Sequence, residues 1–194
     1  MNDTLTRPFL TGERVLLRLA EPGDGAMLLA FHQRNEAFLA PYDPPRPEGF
    51  WTEDFWEHYI EQAQREFAVG ASCRFLVLPQ NNPGMVCGKV NLSQISRGPF
   101  QACIMGYAVD EAMQGKGMMR ESVSLVIEHA FTTLGLHRIM ANYLPTNERS
   151  GGLLKRLGFS VEGYARDYLY INGTWRDHIL TSLVNSNWSG EIWK

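Results

Sequence analysis

The segment 102–144 constrains the fold of this 194-residue chain more than any other. It opens with Ala102–Val109, A-C-I-M-G-Y-A-V, which is apolar on both alternations and reads as a central strand covered on both faces. The stretch D-E-A-M-Q-G-K-G-M-M-R follows at 110–120. Met119, Val123, Val126, Ile127, Ala130 and Leu134 then recur at helical spacing, and Gly135 ends the run. Arg138–Leu144 reads as another strand. Strand, helix and strand in this order predict a parallel pair joined by a right-handed crossover.

Gly115 and Gly117 stand where that helix begins, although glycine within a helix costs about 1 kcal/mol relative to alanine. A helix N-terminus presents unpaired N–H groups and partial positive charge, which together favour a phosphate. Glycines let the backbone reach such an anion, Gln114 can donate to it, and Lys116 adds charge. A Walker loop requires GxxxxGK[ST], which is absent here. The dinucleotide fingerprint GxGxxG fails as well, because Arg120 holds the place of its third glycine.

The rest of the chain predicts a mixed architecture. Arg14–Ala20 reads as a first strand, and a helix runs from the P-G-D turn to about Arg34. P-Y-D-P-P-R-P at 41–47 excludes regular structure. A second helix starts at an N-cap Thr52, with Trp51 and Trp56 in the positions of a hydrophobic staple, and stops at Gly70. Phe50, Trp51, Phe55, Trp56 and Tyr59 are candidates either for core or for an acceptor groove. Arg74–Leu78 and Met85–Leu92 flank the turn N-N-P-G, and Tyr164–Ile171 and Trp175–Val184 flank N-G-T. Asn147–Leu157 is a short helix closed by Gly158 and Phe159. The fold class is α+β or α/β. One domain spans 1–194, with its core at about 10–188. Its mixed, mostly antiparallel sheet has about seven strands and is flanked by about four helices.

The formal net charge is −3, which lacks the basic footprint of a nucleic-acid binder. Cys73, Cys87 and Cys103 form no CxxC pair, and the scattered histidines have no metal-ligand spacing, so no metal is expected. His129 and His137, beside the apolar stripe, are expected to be structural. The N-terminus has no apolar core of signal-peptide length, and no segment is long and apolar enough to cross a bilayer. A cytoplasmic location is the expectation.

The run Gln114-Gly115-Lys116-Gly117-Met118-Met119 resembles the acetyl-coenzyme A signature Q-x-x-G-x-G/A of the GNAT superfamily of N-acetyltransferases, with Met119 in place of the final Gly or Ala. V-N-L-S-Q-I-S-R-G-P-F-Q-A-C at 90–103, H-R-I-M-A-N-Y at 137–143 and N-E-R-S-G-G-L-L-K-R-L-G-F at 147–159 resemble the ribosomal-protein N-terminal branch of that superfamily, the RimJ type. E-G-Y-A-R-D-Y-L at 162–169 and N-G-T-W-R-D-H at 172–178 continue the likeness, which runs from about Leu5 to Trp188.

The resemblance implies a GNAT-like domain in which the strand ending at Val109 splays from the one at 138–144, with acetyl-CoA in the gap. Val109 would then face the thioester carbonyl, and the backbone of Gln114, Gly115, Lys116, Gly117, Met118 and Met119 would take the pyrophosphate. Asn142 and Asn147 are further cofactor positions by the same analogy. The amine would attack the thioester directly, without a covalent enzyme intermediate. Many members use a tyrosine to assist the leaving thiolate, but Leu154 stands at that place. The branch implies Ser150 as the thiol's hydrogen-bond partner instead. From the residues alone, Asn147 is equally an N-cap and Ser150 a first-turn polar residue.

The general base is open among Glu36, Glu162, Asp167 and Asp177, each of which also reads as half of an ion pair. Asp167 is the candidate catalytic carboxylate. An α-amine is about 2.6 pKa units below lysine, which makes its deprotonation easier by about 3.5 kcal/mol, and a site without a strong base suits it. The expected partner is the N-terminus of a small-subunit ribosomal protein, with contact to a ribosome precursor and an oligomeric state left open. Two alternatives stand beside this: an acetyltransferase for a small amine such as a polyamine or aminoglycoside, and an assembly factor with secondary acetyl transfer.

Overall fold

The computed structural model describes residues 6–190. The strands are β1 (Phe9–Thr11), β2 (Val15–Leu19), β3 (Cys73–Pro79), β4 (Gly88–Ser96), β5 (Ala102–Val109), β6 (Arg138–Met140), β7 (Ser160–Ile171) and β8 (Thr174–Val184). The helices are α1 (Gly25–Arg34), α2 (Glu36–Leu39), α3 (Glu53–Ala68), α4 (Met118–Thr132) and α5 (Glu148–Arg156), and a 3-10 turn covers Glu111–Met113. All eight strands join one sheet in the order β1-β2-β3-β4-β5-β6-β8-β7. Neighbours are antiparallel except β5 and β6, the pair the crossover predicts.

The strand and helix expectations each fall short by a short element. β1 has three residues, its central Leu10 half-buried between exposed neighbours, too little for periodicity to register. α2 is a single turn of four residues. β6 ends at Met140 instead of running to Leu144, because the chain then follows β8: Ala141 N donates to Thr181 O and Tyr143 bridges Ile179.

Two apolar layers cover the sheet. On one face, Met118, Met119, Val123, Val126 and Ala130 of α4 and Leu154 of α5 pack on Leu17, Phe75, Val90, Cys103 and Ile139. On the other, Leu28, Phe31, Trp56 and Ile60 of α1 and α3 pack on Leu76 and Leu78. Thr52 caps α3 by accepting from Phe55 N, and Gly70 at φ 70° ends it. Phe50, not Trp51, packs edge-on against Trp56, with centroids 5.0 Å apart. Trp51 is 38% exposed and lies under the Arg46 guanidinium. Trp56 is core, and Phe50, Phe55 and Tyr59 pack against that core. The β7–β8 hairpin turns through Asn172 (φ 45°) and Gly173 (φ 77°), the two positive φ values of a type I′ turn.

His32 lies in the α1–α3 layer, stacked on Trp56 at 4.3 Å and edge-on to Phe31 and Phe50. Lys89 Nζ is 3.3 Å from Nε2, so Nε2 accepts and the ring proton sits on Nδ1. Burial, reinforced by the Lys89 and Arg46 charges, pushes its pKa down to about 2. A depressed histidine stabilises the fold above its unfolded pKa near 6.5, and that contribution is lost as pH falls. Between pH 6.5 and 5 the loss is about 1.6 kcal/mol. Denaturant melts should show it, and the His32→Phe variant should lack this part of the pH slope. The same slope in the variant would remove His32 as its source.

Candidate active site

β5 is the strand on which the site is built. Its pairing with β6 stops at Ile104–Met140, while β5 runs on to Val109. The carbonyl of Gln101 accepts from His137 and Arg138 on the β6 side, whereas Asp110 N donates to Cys87 on the β4 side. Backbone groups alternate sides along a strand, so the N–H groups of Tyr107 and Val109 point into the opening that β6 leaves. The apolar run at 102–109 is therefore covered on both faces only in its first half. Gly106 is exposed, and Tyr107, Ala108 and Val109 are half-buried.

Asp110 ends the strand and fixes the next loop. It is 2% exposed and accepts from Arg34 Nε (2.6 Å), Asn35 Nδ2 (3.2 Å) and Ala112 N (3.0 Å). These donors outweigh its burial and hold the carboxyl below the usual carboxylate range. Asn35 Oδ1 in turn accepts from Glu111 N at 2.8 Å. Sequence reading did not single out this lock between α1 and the loop, because its members lie 75 and 76 positions apart.

Beyond the lock, Gly115 and Gly117 have φ of 71° and 77°, values that favour glycine. A Cβ added at either meets nothing within 4 Å, so the space over the loop is open. Gly117 precedes α4 with no side-chain cap, which leaves the first-turn N–H groups unclaimed. Lys116 and Arg120 are exposed beside it. Met118 and Met119 are 6% and 8% exposed, so only their backbone can serve a ligand. Met119, which departs from the motif, packs over Gly88: its Cε lies 3.1 Å from where a Cβ of Gly88 would stand. Gln114 Oε1 accepts from Arg149, tying the loop to α5.

The first turn of α5 spans the other side of the opening. Asn147 Oδ1 accepts from Ser150 N at 3.1 Å, so the side-chain oxygen caps the helix and only Nδ2 is left for a ligand. Ser150 Oγ is 2.7 Å from the phenolic oxygen of Tyr107, a residue that sequence reading missed. Gly151 is close-packed: a Cβ there would stand 2.7 Å from the Tyr143 ring. The protein's own tyrosine fills the space beside this glycine. Leu154, at the place of the usual tyrosine acid, is 1% exposed and belongs to the core. Asn142 donates to Tyr168 OH (3.1 Å) and accepts from Thr181 N (3.4 Å), which anchors the irregular strand after β6.

The carboxylates separate. Glu36 pairs with Arg46 at 3.1 Å, and Glu162 pairs with Arg138. Asp167 is exposed on a bulge of β7, with φ 47°. Its N–H donates to Asp177 Oδ1 at 2.9 Å, and Tyr164 OH donates to Asp177 Oδ2 at 2.5 Å. Those two bonds, the phenol's first, hold Asp177 below the usual carboxylate range. Asp177, not Asp167, lines a pocket of about 400 Å³ with Pro41, Tyr42, Leu144, Pro145, Thr146, Tyr164, Asn172 and Arg176. The proline-rich loop and the hairpin are joined there by Asn172 N donating to Asp43 O at 3.0 Å.

Burial raises the thiols of Cys73 and Cys103 to about 12 and of Cys87 to about 11, so none is a nucleophile. His129 is buried edge-on to Phe75 and His137 lies against Trp188, both structural. No cluster of metal-ligating side chains occurs among the described residues, and no helix among them is long and apolar enough to cross a membrane. The open glycine cradle, the uncapped helix and the unpaired edge of β5 fit the pyrophosphate and pantetheine of acetyl-CoA.

Comparison with known proteins agrees with this geometry. The family model described as acetyltransferase (GNAT) domain matches residues 14–160. The chain is 40% identical over 180 residues to the ribosomal protein uS5-alanine N-acetyltransferase of Escherichia coli K12, spanning 93% of this chain and 92% of that enzyme. It is 33% identical over 176 residues to the probable N-acetyltransferase YjcK of Bacillus subtilis, spanning 91% and 97%. The crystal structure of the ribosomal-protein-S5-alanine acetyltransferase from Vibrio fischeri matches with TM-score 0.89 at 39% identity, covering 93% of this chain and 98% of that one. A splayed strand pair, a glycine cradle at a helix N-terminus and a family match over most of the sequence converge: the chain belongs to the GNAT acetyltransferase family.

Proposed function

We propose that the chain transfers an acetyl group from acetyl-CoA to the N-terminal α-amine of ribosomal protein uS5, in the cytoplasm. The observation that carries this is the 40% identity, sustained over 93% of the chain, to an enzyme named for that reaction. Bound acetyl-CoA supplies an activated acyl group as a thioester. The chain's own residues do the rest. The N–H groups from Gly115 to Met119 hold the pyrophosphate, with Gln114 steadying the loop through Arg149 and Asn147 and Asn142 keeping the far wall of the gap in place. The Val109 N–H donates to the acyl oxygen as negative charge develops on it. Ser150, at the N-terminal turn of α5, donates to the sulfur.

The pocket beside Thr146 receives the acceptor chain. Asp177 stays ionised there and attracts the protonated amine, and its lowered pKa makes it a poor proton acceptor. Asp167, exposed and one hydrogen bond away, takes the amine's proton through water. An α-amine, with pKa about 7.8, is neutral in roughly one molecule in seven at pH 7, so no strong base is required.

Mass spectrometry of uS5 from cells lacking this chain tests the substrate. The expected result is a protein lighter by one acetyl group, restored by the wild-type chain. An unchanged mass would remove the substrate assignment. If the purified enzyme instead released free CoA faster with a polyamine than with a uS5 N-terminal peptide, the small-amine reading would replace it.

A further inference from the structure

We propose that Tyr107 is a positioning residue for the leaving sulfur: its phenolic O–H donates to Ser150 Oγ and turns the Ser150 hydroxyl proton toward the thiol of coenzyme A. The inference rests on the assignment of Ser150 made above. A serine hydroxyl has one proton, and in a first helical turn it is readily spent on a nearby backbone group. Something must occupy the oxygen from the other side if that proton is to face the gap.

Tyr107 is placed for this. It lies on β5 two residues before Val109, and α5 brings Ser150 to it across 43 positions of sequence. The two oxygens are 2.7 Å apart, at the optimum for O–H···O. The Ser150 carbonyl is a second acceptor for the phenol, but at 3.4 Å it is well past that optimum. A phenol is more acidic than an aliphatic alcohol and is the better donor of the pair, so Tyr107 donates and Ser150 accepts. The cap bond from Ser150 N to Asn147 fixes the serine's backbone at the same time. Tyr107 does not itself surrender a proton. Burial raises its phenol to about 12, above the range of a thiol near 8.5. The outcome is a single oriented donor, aided by the positive end of α5, aimed at a sulfur that gains negative charge as its bond to the acyl carbon breaks.

The test needs no acceptor substrate. Free coenzyme A is bound to purified wild-type, Tyr107→Phe, Ser150→Ala and double-variant enzyme, and its thiol is titrated by thiolate absorbance. In the wild type the bound thiol should ionise at lower pH than in free coenzyme A. Ser150→Ala should raise that pKa by about one unit, the worth of one charge-assisted hydrogen bond. Tyr107→Phe, which keeps the ring, should raise it by a similar amount, and the double variant no further than Ser150→Ala. Site-specific 3-fluorotyrosine at position 107, a stronger donor, should lower it. An unchanged titration in Ser150→Ala would sink the serine assignment and this inference with it. A shift in Ser150→Ala with none in Tyr107→Phe, shifts that add in the double variant, or a rise with fluorotyrosine would overturn the role of Tyr107 alone.

Discussion

Gly117→Trp is expected to weaken acetyl-CoA binding at least about 100-fold in isothermal titration, while the protein still folds. The backbone at Gly117 sits at φ 77°, which costs a side-chain-bearing residue about 1–2 kcal/mol. A Cβ there meets no protein atom within 4 Å, so the indole enters open space and not the core. For a chain of this length the strain lowers the melting temperature by only about 2–8 °C. That open space is the place assigned to the pyrophosphate, and an indole filling it leaves the diphosphate no path to the N–H groups of Met118 and Met119. The asymmetry between a small stability loss and a large affinity loss is what identifies a ligand cradle. Unchanged affinity would mean that the pyrophosphate binds elsewhere.

Asp110→Ala should destabilise the fold by about 2–4 kcal/mol, toward the lower part of the range for a broken buried ion pair, because Arg34 is 38% exposed and can reach water. The variant strips a partner from the Arg34 guanidinium, from Asn35 Nδ2 and from Ala112 N at once. It also releases the end of β5 and the start of the Gln114–Gly117 loop from α1, so acetyl-CoA binding should weaken by about 10-fold or more. Asp110→Asn keeps the shape and some acceptor capacity and should fall between. Urea melts and titration calorimetry on both variants check this. Full stability with intact cofactor affinity in Asp110→Ala would show that the loop holds its conformation without the lock.

Tyr107, by contrast, stood in plain view in the run A-C-I-M-G-Y-A-V and gave no local sign of its partner. The general base shows the same difficulty. Asp167 and Asp177 look alike as Arg-Asp pairs in sequence, yet only Asp177 lines the pocket. A bulge in β7 between Ala165 and Leu169 shifts the register there. Alternation counts, which assume regular pairing, do not foresee such a slip. The glycine at 151 has its reason in a distant residue as well: a Cβ there would collide with the ring of Tyr143.

The sequence by itself determined whatever is encoded within a few residues of backbone. The glycines before the helix at Gly115 and Gly117, the caps at Thr52 and Asn147, the Asn172–Gly173 turn and the order of strand, helix and strand around 102–144 all belong to that class. Only the tertiary structure decided where β6 leaves β5, that Asp110 is locked by Arg34 and Asn35, and that Ser150 meets Tyr107. Local torsional and capping preferences act on neighbours along the chain and leave a mark there. Contacts between residues dozens of positions apart form through packing of whole elements, and no single residue type announces them.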